Sequence, residues 1–182
     1  PGSYERGILI CSAWKANAVP VAEYALATIL MGLKGFWASQ RLDRAGQFRH
    51  FHSQVAGVFH SNVGLVSLGA IGRLVAGHLA NHEVDILAYD PFTTSAVADS
   101  LGVSLVSLEE LFSRSHVVSI HTPSLPETEK MINGRLLRAM RPGATLINTA
   151  RGAVIHEGDL CTVLAERPDI TAVLDVTHLS LI

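Results

Sequence analysis

Gly69 and Gly72, with Asp90 lying 18 residues beyond the second of them, are the residues whose types and spacing first point to chemistry. A glycine without Cβ at 69 lets a pyrophosphate approach the backbone, and a second at 72 lets a helix lie tight on the preceding strand. A helix starting there offers unpaired N–H groups and a partial positive charge to the phosphates. Asp90 can accept hydrogen bonds from both hydroxyls of an adenosine ribose and repels a 2′-phosphate, which favours NAD over NADP. The first glycine of the G-x-G-x-x-G pattern is Ser67 here. If that position requires a positive φ, serine costs roughly 1 kcal/mol; if it is only a tight place, the hydroxyl is tolerated. The bare pattern fits a glycine-punctuated helix contact equally well. Its flanks favour the dinucleotide reading: an apolar run at 63–68, a helix-like segment at 71–80 and a second apolar run at 84–89 give strand, turn, helix, strand and acid in order.

Other residues capable of chemistry directly follow apolar runs. Arg151 could hold a carboxylate in a two-pronged hydrogen bond, the usual way to position a small anionic acid; an isolated arginine is also a common surface residue at a strand end. Asp175 could accept from a nicotinamide carboxamide or simply occupy a turn. His121 could act as a general acid, or pack at the strand end before Pro123. His50, His52 and His60 lie in a polar stretch, and His-x-His on a loop lacks the further ligands a metal needs, so no metal site is expected.

The elements that position these residues follow from the alternation of patterns. Apolar runs at 63–68, 84–89, 103–105, 116–121, 143–148 and 170–176 read as strands, and the segments between them as helices at 71–80, 94–101, 107–113, 127–140 (with a break at Asn133-Gly134) and 155–166. Ser107 and Glu110 have capping-box spacing. Such alternation predicts an α/β fold, a doubly wound parallel sheet with helices on both faces. Upstream, 7–12 reads as a buried strand, 17–20 as a loop and 21–41 as a helix apolar on most faces, hence one covered by another domain or subunit. The apolar run at 24–33 is too short to span a bilayer.

With 182 residues, 48% of them hydrophobic, the chain can bury a full core. Its net charge of −2 gives no general attraction to nucleic acid or to a membrane surface. Two cysteines, Cys11 and Cys161, fit reduced cytoplasmic thiols better than a disulfide framework. The opening Pro1-Gly2-Ser3 without methionine suggests a fragment or a processed chain.

Six segments occur in family order and spacing: VPVAEYAL (19–26), VGLVSLGAIGR (63–73), AYDPF (88–92), HTPSLPETEKMI (121–132), RPGATLINTARGAVI (141–155) and AVLDVT (172–177). Together they resemble the NAD-binding domain of the D-2-hydroxyacid dehydrogenases, a Rossmann fold. The resemblance implies that residues 1–182 form a dinucleotide-binding domain, that 20–41 is an interdomain or dimerisation helix, and that the substrate domain is largely absent. It implies that Gly69, Ala70, Ile71 and Gly72 face the pyrophosphate, that Asp90 and Pro91 border the adenosine ribose, and that Thr122, Pro123 and Thr128 line its adenine side. Thr149, Ala150 and Asp175 would hold the nicotinamide end, and Arg151 would bind the substrate carboxylate and polarise the adjacent carbonyl.

The implied activity is hydride transfer between NAD and a small D-2-hydroxy or 2-oxo acid, by a cytoplasmic homodimer with neither nucleic acid nor membrane as partner. One departure matters. The family places a glutamate, which orients the proton-transferring histidine, five residues after the aspartate matched by Asp175; here that position is Ser180, and His178 lies too early for the histidine's role. The alternative is a non-catalytic, corepressor-like protein that senses NAD on the same fold.

Overall fold

A computed structural model describes residues 7–8, 11–44 and 57–177. Six strands form one parallel sheet: β1 Ser61–Val66, β2 Val84–Tyr89, β3 Val103–Leu105, β4 Val117–Ile120, β5 Thr145–Asn148 and β6 Thr171–Leu174. Their spatial order is β3-β2-β1-β4-β5-β6. The order reverses between β1 and β4, and in open α/β sheets that switch point is where a crevice opens at the carboxyl ends.

Helices cover both faces, as the alternating patterns predict. α1 (Trp14–Leu33) and α3 (Ala70–Leu79) pack on one face against Val63, Leu65, Ile86, Val117 and Ile147. α5 (Leu108–Arg114), α6 (Gly134–Ala139) and α7 (Glu157–Glu166) cover the other, against Val66, Val118, Ile120 and Leu146. Side-chain alternation along a strand sends Val118 and Ile120 to one core and Val117 to the other. The short helices α2 (Phe36–Arg44) and α4 (Ser95–Ser100) complete the chain.

Local signals fix several helix starts. The Ser107 hydroxyl accepts from Glu110 N–H (3.2 Å) while the Glu110 carboxylate accepts from Ser107 N–H (3.0 Å), closing the expected capping box on α5. Replacing Ser107 with alanine should cost about 1 kcal/mol of stability in urea denaturation; a loss below a few tenths would show that the cap contributes nothing. Asn133 caps α6 through its side-chain oxygen, and Asp159 accepts from Gly134 N–H (2.7 Å), joining the starts of α6 and α7.

Four expectations are corrected. The 20–41 helix is two helices: α1 starts at Trp14 and passes through Pro20, then the chain breaks at Lys34-Gly35, where Gly35 has φ 63°, before α2. Asn17 N–H already donates to Ala13 O, so 17–20 is no loop. Proline lacks its own N–H, but burial of Ala18, Ala22, Ala25 and Ile29 holds the helix through it. The helical stretch expected over 127–140 does break at Asn133-Gly134, where α6 starts, but its first half is only a short 3-10 turn (Pro126–Thr128) followed by extended backbone in which Ile132 bridges Ile155. The strand over 7–12 is not formed by its described residues, which lack a ladder partner; Ile8 is exposed, and residues 9–10 lie outside the described ones.

The 20-residue α1 is long and apolar enough, by length and composition alone, to cross a membrane. It lies instead on the sheet and on α3, and Gly32 approaches β4 and β5 so closely that a Cβ there would sit 3.1 Å from Val117 and 3.2 Å from Thr145.

Candidate dinucleotide site

Strand register assembles the site. Tyr89, Val66, Ile120, Asn148 and Leu174 are paired in one row across β2, β1, β4, β5 and β6. The residues one step further, Asp90, Ser67, His121, Thr149 and Asp175, therefore share the carboxyl edge. Ser67 N–H to Tyr89 O (2.8 Å), His121 N–H to Val66 O (2.9 Å) and Asp175 N–H to Asn148 O (3.0 Å) carry the ladder onto that edge.

At the end of β1 the backbone turns left-handed, with Ser67 at φ 80°. This settles the choice the sequence left open: the position does require positive φ, and serine stands there at a cost of roughly 1 kcal/mol. Gly72 is required by contact, because a Cβ would lie 2.2 Å from Ser67 O. Gly69, by contrast, faces open space with no atom within 4 Å of where its Cβ would be. The first helical bond of α3 runs from Arg73 N–H to Gly69 O, so the N–H groups of Ala70 and Ile71 precede the helix's own bonding. Arg73 folds back on the turn, its Nε–H donating to Leu68 O (2.7 Å).

Asp90 meets this loop across the gap between β1 and β2. Its Oδ2 accepts from Leu68 N–H (2.7 Å) and, at 3.4 Å, from the Ser67 hydroxyl. Its Oδ1 accepts from Phe92 N–H (2.8 Å) and Thr93 N–H (3.0 Å). The carboxylate thus clasps the glycine turn and shapes the turn after Pro91.

On the other side of the switch point, His121 is buried and both ring nitrogens lack a partner among the described residues. Burial holds its pKa down at about 4, so the ring is neutral near pH 7. The Thr149 hydroxyl is likewise buried without a partner. Thr122 donates to Val66 O (3.3 Å), Pro123 is exposed, and Thr128 donates to Pro123 O (2.6 Å) while accepting from Leu125 N–H (2.9 Å), which holds the 122–128 loop. Arg151 is exposed, with one guanidinium N–H on Ala150 O (2.6 Å), and Asp175 is exposed at the end of β6.

Sequence reasoning passed over Asn148. Buried at the end of β5, it donates to Arg151 O (3.0 Å) and accepts from Ala150 N–H (3.0 Å), fixing the loop that carries Thr149, Ala150 and Arg151. An amide ending an apolar strand was the available signal. Ser180 and His178 lie outside the described residues, as do His50 and His52.

The arrangement fits a dinucleotide. Open space at Gly69, helix N–H groups beside it, a carboxylate on the β2 side and unpartnered buried polar atoms at His121 and Thr149 all meet one edge. A family model described as "D-isomer specific 2-hydroxyacid dehydrogenase, NAD binding domain" matches residues 26–179. The chain belongs to this family. Among its relatives, the D-3-phosphoglycerate dehydrogenase of Mycobacterium tuberculosis (strain ATCC 25618 / H37Rv) is 34% identical over 94% of the chain, and that of Synechocystis sp. is 32% identical over 97%. The chain spans about a third of the length of these curated relatives, 32% of each. The holo form of Rhodotorula graminis D-mandelate dehydrogenase superposes with a TM-score of 0.78 at 29% identity, over 98% of this chain and 55% of that one. The family and these relatives are dehydrogenases, and the NAD-sensing alternative finds no support among them.

Proposed function

We propose that this chain is the cofactor-holding part of an NAD-dependent oxidoreductase acting on a small D-2-hydroxy acid or its 2-oxo partner. The observation that carries the reading is the site at the β1/β4 switch point, where the Gly69–Gly72 turn faces open space beside Asp90. NAD, when bound, supplies the hydride acceptor or donor. The Ala70 and Ile71 N–H groups meet its pyrophosphate, with Gly69 and Gly72 giving the close approach. Asp90 and Pro91 border its adenosine ribose, and Thr122, Pro123 and Thr128 its adenine side.

Thr149, Ala150 and Asp175 orient the nicotinamide end. Arg151, exposed at the same edge, binds the substrate carboxylate and polarises the adjacent carbonyl. The substrate class rests on what the relatives' names share: phosphoglycerate and mandelate are both 2-hydroxy carboxylates. A homodimer through α1 is supported by its exposed Trp14, Val19 and Tyr24, and a cytoplasmic setting by the unpaired Cys11 and Cys161.

Titration calorimetry with NADH and NADPH tests the cofactor half. NADH should bind and NADPH about tenfold or more weakly, as expected for a 2′-phosphate beside a carboxylate. Binding of neither, or a preference for NADPH, would overturn it.

A further inference from the structure

The carboxylate of Asp90 is already largely occupied. An ionised carboxylate has about four acceptor positions; backbone N–H groups of Leu68, Phe92 and Thr93 fill three of them at 2.7–3.0 Å, and the Ser67 hydroxyl stands at the fourth in a long contact on Oδ2. Three of these donors are backbone groups fixed by the turns at 67–68 and 92–93. The fourth is a rotatable hydroxyl, and at 3.4 Å it is also the longest of the four contacts. An adenosine ribose that uses Asp90 must therefore take its place.

We propose that Ser67 is a specificity-determining residue, whose hydroxyl occupies the one exchangeable acceptor position of Asp90 and is displaced when an adenosine ribose binds. The inference rests on the NAD reading of the site. It also accounts for the serine at φ 80°, a position where glycine would carry no strain. The hydroxyl adds a donor to Asp90 when no ribose is present, and this donor competes with the ribose hydroxyls when one arrives. Ser67 thus touches the loop's strain and the ligand's affinity through different atoms, Cβ in the first case and Oγ in the second.

Two variants separate these roles. Ser67→Ala keeps the left-handed strain and removes only the competing hydroxyl; Ser67→Gly removes both. By calorimetry, both should bind NADH about three- to tenfold more tightly than the wild type, the span of one modest hydrogen bond. An NADH analogue whose adenosine ribose lacks both hydroxyls should bind wild type and Ser67→Ala equally. Thermal unfolding without ligand should place Ser67→Gly above Ser67→Ala. Weaker or unchanged NADH binding by Ser67→Ala, or an equal shift for NADH and the analogue, overturns the proposal while leaving the NAD reading in place. Failure of the wild type and both variants to bind NADH overturns both.

Discussion

Replacing Gly72 with alanine should destabilise the chain by about 3 kcal/mol, the upper end of what overpacking costs. The added Cβ would lie 2.2 Å from the carbonyl oxygen of Ser67, and neither partner can rotate away. One belongs to the first turn of α3, the other to a backbone already held at φ 80° by its bond to Tyr89 O. Relief requires α3 to lift from β1, which breaks the packing of Val75, Ala76 and Leu79 on Val63 and Leu65. Gly69→Ala is the matched control. Its Cβ enters open space and its φ of −68° suits any residue, so its stability should stay within about 0.5 kcal/mol of wild type while NADH binding weakens. Denaturant titration of both variants checks the pair; equal stabilities would show that the helix can shift to admit the methyl group.

A second large effect comes from pH. His121 is held neutral by burial, its pKa lowered from 6.5 to about 4. The unfolded chain therefore binds a proton between these values that the folded chain excludes. Stability associated with this group is complete above the unfolded pKa and is lost as pH falls through the folded one, roughly 3 kcal/mol in all. His116 acts in the same direction, its pKa lowered first by burial and then by the charge of Arg141. Comparing wild type with His121→Leu isolates the buried ring, since His116 and the carboxylates are common to both. The difference between their unfolding free energies should change by roughly 3 kcal/mol between pH 7 and pH 4. A difference that stays constant over that interval would show that the ring reaches water or a partner in the native protein.

What could be read beforehand divides along physical lines. β2 falls on the apolar run at 84–89, because a parallel strand inside the sheet is covered on both faces and Asp90 marks its end, whereas β3, an edge strand with Ser104 and Leu105 exposed, was legible through Val103 and the Gly102 turn before it. The α5 cap was legible because Ser107 and Glu110 satisfy each other locally. The start of α1 was hidden for the opposite reason. Between Trp14 and Pro20 only Ala18 is buried, so no periodicity marks the first turns, and Pro20 reads as a stop. The stretch after Thr128 misled because Met131 and Ile132 look helical in spacing, whereas Ile132 is drawn into a bridge with Ile155, a partner 23 residues away. At the site, the candidate residues could be placed at strand ends from sequence. Their bonding could not, since Asp90 meets Ser67 and Leu68 only after the sheet has brought β1 and β2 into register.

The placement of α1 bears on how this chain can be dissected. A cut at residue 26, where the family match begins, would pass through the middle of that helix and separate Ala18, Ala22 and Ala25 from Ile29 and Leu33. A cut just before β1 would remove the helix whole, and with it the cover over Val117, Thr145 and Ile147. The second cut leaves α3 over β1 and β2 but bares the apolar surface of β4 and β5 that α1 covers, a patch prone to self-association, and the first removes part of that cover. The packed core of the chain therefore draws on residues as far back as Ala18, well ahead of β1.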